Sequence, residues 1–347
     1  MTELTLLYQL LDAPGVSGRE DLVRDLIRAA VQQAAFFDRI EEDPLGNLIC
    51  YRTSSGKEAR RNILLAAHMD QSGFLVSRIT DQGALRLHPV GTFDVRAMAG
   101  QPVSVVTGNG TTLPGTLHLS ALPVHTAPPE QMRRHPELAD FHVDLGLSLQ
   151  EVTARVQPGD MVVFRSPAQQ VGDEIAGTGL DDRIGCWAMI QALHRIHNTR
   201  DDLVLAFTVQ EELGSRGAGP VARRTAPDIA LICESVVSAC VPGVPPDQQV
   251  TVPGQGIALQ IADSSLISDP GLVQTAERAA RDHGVPVQRS LMQGGGQDGA
   301  IIQRSGFGVR TLALGCPVKF MHSAREHACL RDILSYPTLI AAIINTL

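Results

Sequence analysis

The chain has 347 residues, 44% of them hydrophobic and 19% charged, and a formal net charge of -8. That length is generous for one core and predicts a large domain with a smaller companion. The acidic balance leaves no basic footprint, which argues against nucleic acid or an anionic membrane as a partner.

The N-terminal stretch MTELTLLYQLL carries acid at Glu3 and has no basic n-region or small-residue cleavage site, so it does not read as a signal peptide. No apolar run reaches the roughly 18 residues of a membrane span. Residues 4–35 read as two amphipathic helices broken at DAPGVSGRE, with Ser17 or Gly18 opening the second. NLICYR and RNILLAAHMD follow as strands, the second apolar throughout, as a strand covered on both faces is. From Gly73 the texture changes. GFLVSRI, GALRLHPV, QPVSVVTGNGT, LPGTLHLS and DMVVFRS are short strands between Gly, Pro and Asn turns, with helical periodicity nearly absent apart from the charged patch PPEQMRRHPELAD. This predicts a small β-barrel or sandwich over 73–165. Beyond it helices and strands alternate to the end: DDRIGCWAMIQALHRI, DLVLAFTV, GPVARRT, DIALICESV, DPGLVQTAERAARDHG, DGAIIQRSG, VRTLALGC and ILSYPTLIAAIINTL. The fold class is therefore α/β, a mixed sheet between helices over 1–72 and 166–347, interrupted by the β insertion. The six scattered cysteines, without a C-x-x-C pair, read as free thiols of a reducing, cytoplasmic compartment.

Apolar strands here repeatedly end in acid or histidine: His68 and Asp70, then Glu211 and Glu212, then Glu234. Open α/β sheets bind ligands at the carboxyl ends of their strands. Asp181, Asp182 and His322 are loop-borne candidates for the same edge. Two histidines among several carboxylates suit a divalent cation such as zinc, manganese or cobalt, and a bridging carboxylate can hold a co-catalytic pair. Adjacent glutamates on an extended chain face different ways, so one of Glu211 and Glu212 binds metal while the other takes a proton from a metal-bound water. Each residue also has a plainer reading. Asp181 and Asp182 can cap a helix, the glutamate pair can be a solvated turn, and His68 can be a satisfied core histidine. Glu234, amid apolar neighbours, is the hardest to explain that way. GGGQDG matches G-x-G-x-x-G at Gly294, Gly296 and Gly299, but Asp298 would face a pyrophosphate, and a flexible turn near substrate is the better reading.

AAHMDQSGF, LDDRIGCWA, TVQEELGSRGA, GGGQDGAIIQ and KFMHSAREH, in that order with the β insertion after the first, resemble the dinuclear-metal aminopeptidases of the tetrahedral (TET), deblocking or glutamyl type, also catalogued as cellulase M or endoglucanase. The resemblance runs nearly end to end. It implies a zinc-exopeptidase-like fold and two divalent cations, zinc before cobalt or manganese. His68 and Glu234 would hold one and Glu212 and His322 the other, with Asp181 bridging and a cis peptide after it at Asp182. Glu211 would be the general base and acid, and Asp70 the residue orienting His68. It implies short peptides as substrates and homo-oligomers, including twelve-subunit tetrahedral particles built through the insertion. Two motifs depart from the family: Glu234 stands where aspartate is usual, and Lys319–Phe320 replace Arg–Tyr. The alternatives are a catalytically impaired scaffold or regulator and, following the endoglucanase label, a glycoside hydrolase.

Overall fold

In the strand Asn62–His68 five consecutive apolar residues, Ile63 to Ala67, are each at most 1% exposed. Side chains alternate across a pleat, so Ile63, Leu65 and Ala67 enter one apolar cluster while Leu64 and Ala66 enter another on the opposite face. This strand lies parallel to Asp202–Thr208 on one side and Ile229–Ser238 on the other, and Ile229–Ser238 is parallel to Arg310–Lys319. The structure, a computed structural model, describes residues 4–55, 61–198 and 200–347; Glu3 lies outside them. Among the described residues the sheet has eleven strands. One helical layer over it comprises Thr5–Asp12, Asp21–Ala34, Leu180–Ala192, Pro270–Asp282 and Leu330–Thr346, and the other Ala218–Thr225 and Asp298–Gln303.

The register decides what meets at the edge of the sheet. Thr208 pairs with His68, so Glu211 and Glu212 leave their strand just beyond His68. Ile232 pairs with Ala66, which sets Glu234, two residues on, level with His68. Arg310–Lys319 ends three residues before His322.

The chain leaves this sheet after His68 and forms a closed antiparallel barrel of six strands, beginning with Gly73–Ile79 and ending with Met161–Phe164. Its interior is a separate apolar cluster that includes Phe74, Val103, Leu117, Phe141 and Val162. The fold class read from the sequence, an α/β sheet between helices with an inserted barrel, is the one observed.

Three local features differ from the sequence reading. The second helix begins at Asp21 with Glu20 at its N-cap, because the Ser17 hydroxyl is directed away to donate to Asp70 Oδ2 at 2.6 Å. A helix, Leu149–Arg155, sits inside the barrel segment and is announced by a capping box in which Ser148 and Glu151 satisfy each other's backbone. Two strands, Ile257–Ala262 and Val287–Leu291, extend the sheet. The second is an edge strand with a mostly polar, half-exposed pattern, so it lacks the apolar signature of its buried neighbours. The six cysteines are all free, four of them buried. Among the described residues no helix is long and apolar enough to cross a membrane.

Leu65 is fully buried in the larger cluster, so Leu65→Ala should cost about 2–5 kcal/mol. The measurement is a lowered urea midpoint followed by emission of Trp187, the single tryptophan, itself fully buried.

Candidate active site

Asp181 stands between the two histidines. Its Oδ1 lies 3.4 Å from His68 Nε2 and its Oδ2 lies 3.3 Å from His322 Nε2. Each histidine faces one more carboxylate: Glu234 Oε2 is 3.7 Å from His68 Nε2, and Glu212 Oε1 is 3.4 Å from His322 Nε2. Two triads result, His68–Asp181–Glu234 and Asp181–Glu212–His322, each with its donor atoms within 4.8 Å of one another. Donors about 2.0–2.2 Å from one cation at tetrahedral angles stand about 3.3–3.6 Å apart. Three of the four spacings fall in that range, and the longest belongs to Glu234. Glu234 Oε1 is buried without a hydrogen-bond partner among the described residues. A nitrogen and carboxylate oxygens at this spacing, with a spare buried oxygen, fit a divalent cation in each triad.

The groups around the triads fix their orientation. His68 Nδ1 lies 2.9 Å from the Asp70 carbonyl oxygen, which can only accept, so Nδ1 carries a proton and Nε2 is the nitrogen turned toward Asp181 and Glu234. The Asp70 carboxylate is 3.5 Å from Nδ1 and is chiefly engaged elsewhere. It accepts the backbone N–H groups of Glu211 at 3.0 Å and Glu212 at 3.1 Å, together with the Ser17 hydroxyl. Asp70 therefore holds the turn that carries the glutamate pair, a role the sequence reading did not assign to it. His322 is met from the barrel, where Thr92 Oγ1 lies 2.8 Å from its Nδ1. Gly91, at φ +85°, lets that loop approach, since a Cβ there would fall 2.9 Å from Glu212 Oε2. Lys319 pairs with Glu174 at 2.6 Å, off the triads.

Burial and crowded negative charge shape the protonation. Burial pushes Glu211 up to about 8, with the charges of Asp298, Asp70 and Glu212 acting in the same direction. Burial likewise raises Glu212 to about 7, and the Asp181 charge adds to it. Burial opposes charge on His322, yet Asp181 and Glu212 carry it up to about 9. Asp181 is held below the usual carboxylate range because contacts from His322 and His68 outweigh its burial. Without cations, protons take up the excess negative charge, as they must where several carboxyls share one dry space.

Several participants were not singled out from the sequence. Glu326, 3% exposed, accepts the N–H of His322 at 2.9 Å and of Asp181 at 3.3 Å, joining the two loop-borne candidates. Burial and the Asp181 charge push it up to about 8. Asp298 is fully buried and accepts from Thr208 Oγ1. Ser215 Oγ donates to Glu211 Oε1 at 3.0 Å. Arg183 is fully buried and donates to the carbonyls of Leu10, Ala13 and Gly15 and to Gln71 Oε1, clamping the DAPGVSGRE loop beneath the site. The only local signal for Arg183 was its place in the DDR run. Asp182 is buried, with Oδ1 accepting from Gly185 N at 3.1 Å, and the Asp181–Asp182 peptide bond is cis.

Comparison with known proteins bears on this arrangement. The signature of the M42 glutamyl aminopeptidases matches residues 46–339. The aminopeptidase APDkam598 of Desulfurococcus kamchatkensis superposes with a TM-score of 0.93 at 31% identity, covering 99% of this chain and 95% of that one. A TET aminopeptidase from Thaumarchaeota archaeon SCGC AB-539-E09 gives 0.92 at 30% identity, covering 99% and 96%. The TET1 peptidase of Pyrococcus horikoshii, which can assemble into a tetrahedron or a large octahedral shell, gives 0.87 at 30% identity over 100% of both chains.

Asp70→Asn would turn an amide N–H toward a backbone N–H in the turn after Thr208. It should destabilise the fold by about 1–3 kcal/mol, measured as a lowered urea midpoint. Hydrogen exchange should rise at Glu211 and Glu212 ahead of the sheet.

Proposed function

The chain belongs to the M42 glutamyl aminopeptidase family of metal-dependent aminopeptidases, and we propose that it removes the N-terminal residue of short peptides at a pair of divalent cations, zinc before cobalt or manganese. The observation that carries this reading is the division of Asp181, with one oxygen toward each histidine. In this reading His68 and Glu234 would hold one cation and Glu212 and His322 the other, with Asp181 offering one oxygen to each. When bound, the cations polarise the scissile carbonyl and lower the pKa of the attacking water toward about 7.

The side chains do the rest. Glu211, oriented by Ser215, takes the proton of the attacking water and returns it to the leaving amine. Asp70 keeps Glu211 and Glu212 at a constant offset by holding both backbone N–H groups. The acidic floor of the cavity receives the free α-amino group, which favours chain ends over internal bonds. Glu234 reaches one methylene further than aspartate would, and every donor needed for an active centre is present, which argues against an impaired scaffold. Glucan cleavage by a carboxylate pair would leave His68 and His322 without a role.

The barrel, taken as residues 73–165, is proposed to control access and assembly. Thr92, Phe93 and Asp94 from it line the cavity above the triads, and the Pyrococcus relative forms tetrahedral and octahedral shells. A homo-oligomer, with a tetrahedral dodecamer as its form, is the proposed state, and a cytoplasmic location the proposed setting.

Glu211→Gln should lower kcat by about 10²–10⁴-fold while elemental analysis still finds two cations per chain. A variant with wild-type turnover would remove Glu211 from the proton path. Cation affinity should also depend on pH. Glu212 and His322 are raised to about 7 and about 9, so protons compete below those values. Affinity should climb from pH 6 to 9 by about tenfold per unit for each proton displaced. Calorimetric titration in buffers of differing ionisation enthalpy reads both affinity and proton release, and a flat profile would contradict the assignment.

A further inference from the structure

Gln210, between the strand Asp202–Thr208 and Glu211, has φ +57°. A residue with a side chain meets steric resistance there that glycine escapes. Side chains from distant segments grip this stretch. Val209 N–H donates to Asn47 Oδ1 at 3.0 Å, Gln210 N–H to Glu20 Oε1 at 3.0 Å, Glu211 N–H to Asp70 Oδ1 at 3.0 Å and Glu212 N–H to Asp70 Oδ2 at 3.1 Å. Four consecutive donors are thus taken by side chains, and Glu20 takes the one that belongs to the left-handed residue.

Glu20 is diverted to this contact. It stands at the N-cap of Asp21–Ala34, yet its side chain makes no capping bond to that helix. It is 3% exposed and reaches 190 positions along the chain to Gln210. The same Oε1 accepts the Gly18 N–H at 2.7 Å, which fixes the carboxyl in place. Its loop is anchored in turn. Val16 bridges to Gln71, whose N–H donates to the Gly15 carbonyl at 3.0 Å, and Arg183 holds the carbonyls of Ala13 and Gly15. Burial, with the Asp70 charge added, pushes Glu20 up to about 7, so a neutral amide of the same length is a close replacement.

We propose that Glu20 is a positioning residue for the proton transfer: it holds Gln210 left-handed and so sets the direction in which Glu211 enters the cavity. The inference rests on the reading of Glu211 as the general base. Glu211 lines the cavity and accepts from Ser215 Oγ at 3.0 Å. Without Glu20 the Gln210 N–H loses its acceptor and φ is free to relax, which turns the side chain that follows. A displacement of about 1 Å at a reacting group can cost about 10²-fold in rate. Glu212, the cation donor of this turn, is held separately by Asp70, so cation content should be spared.

The test is kcat, KM and cations per chain in variants of Glu20. Glu20→Ala should lower kcat by about 10–100-fold, with KM and the cation count as in the unaltered enzyme, and amide exchange should quicken at Gln210. Glu20→Gln, which keeps an acceptor at the same reach, should restore kcat. Gln210→Gly added to Glu20→Ala should recover most of the loss, because glycine takes φ +57° unaided. If Glu20→Ala does not fold, Glu20→Asp, one methylene short of Gln210, carries the same decision. In a Glu211→Gln background Glu20→Ala should lower kcat no further. Unchanged kcat in Glu20→Ala, a loss carried by KM, a Glu20→Gln variant as slow as Glu20→Ala, no recovery on adding Gln210→Gly, or an equal loss in the Glu211→Gln background would each overturn the inference while the peptidase reading stands. Full turnover in Glu211→Gln alone would overturn the base assignment and this inference with it.

Discussion

Asp181 shares its two oxygens between two histidines, and the remaining architecture follows from the charge this arrangement gathers. Glu212, Glu234, Glu211, Asp70, Asp298 and Glu326 surround it in space largely closed to water, and His68 and His322 are the cationic counterparts at its centre. Such a cluster is tolerable only if protons or metal ions reduce its net charge. The raised carboxyls and histidines describe the first solution, and the spacing of the donors describes the second.

Rigid placement makes that charge useful. The four central strands run parallel and are apolar on both faces, so none can slip by one residue without turning buried side chains to the wrong cluster. That register brings His68, Glu234 and the Glu211–Glu212 turn to one edge. The second layer of control is made of backbone contacts. Asp70 holds the glutamate turn, Glu326 holds Asp181 to His322, and Arg183 holds the N-terminal loop that supplies Ser17. Each joins segments more than a hundred residues apart, and each is buried.

The barrel is more than an appendage to this sheet. Thr92 orients His322 and Gly91 allows the approach to Glu212, so the insertion touches the same triad that the closing strands supply. A loop that both lines the cavity and orients a donor ties the shape of the cavity wall to the geometry of the centre.

Taken alone, the amino-acid order determined the layered α/β architecture, the barrel, and the identities of the acids and histidines brought to the sheet edge. Most of these were legible because apolar periodicity and strand-terminal polar residues are local patterns, while the loop-borne Asp181 and His322 stood out through the motifs LDDRIGCWA and KFMHSAREH. The tertiary structure alone decided which carboxylate oxygen faces which histidine, that Asp70 serves the glutamate turn as well as His68, and that Glu326 and Arg183 belong to the site at all. It also decided that Glu20 turns from its own helix to Gln210, 190 residues away. A hydrogen-bond partner brought in by folding leaves no trace in local sequence, since its distance depends on register and loop packing and not on the residues beside it.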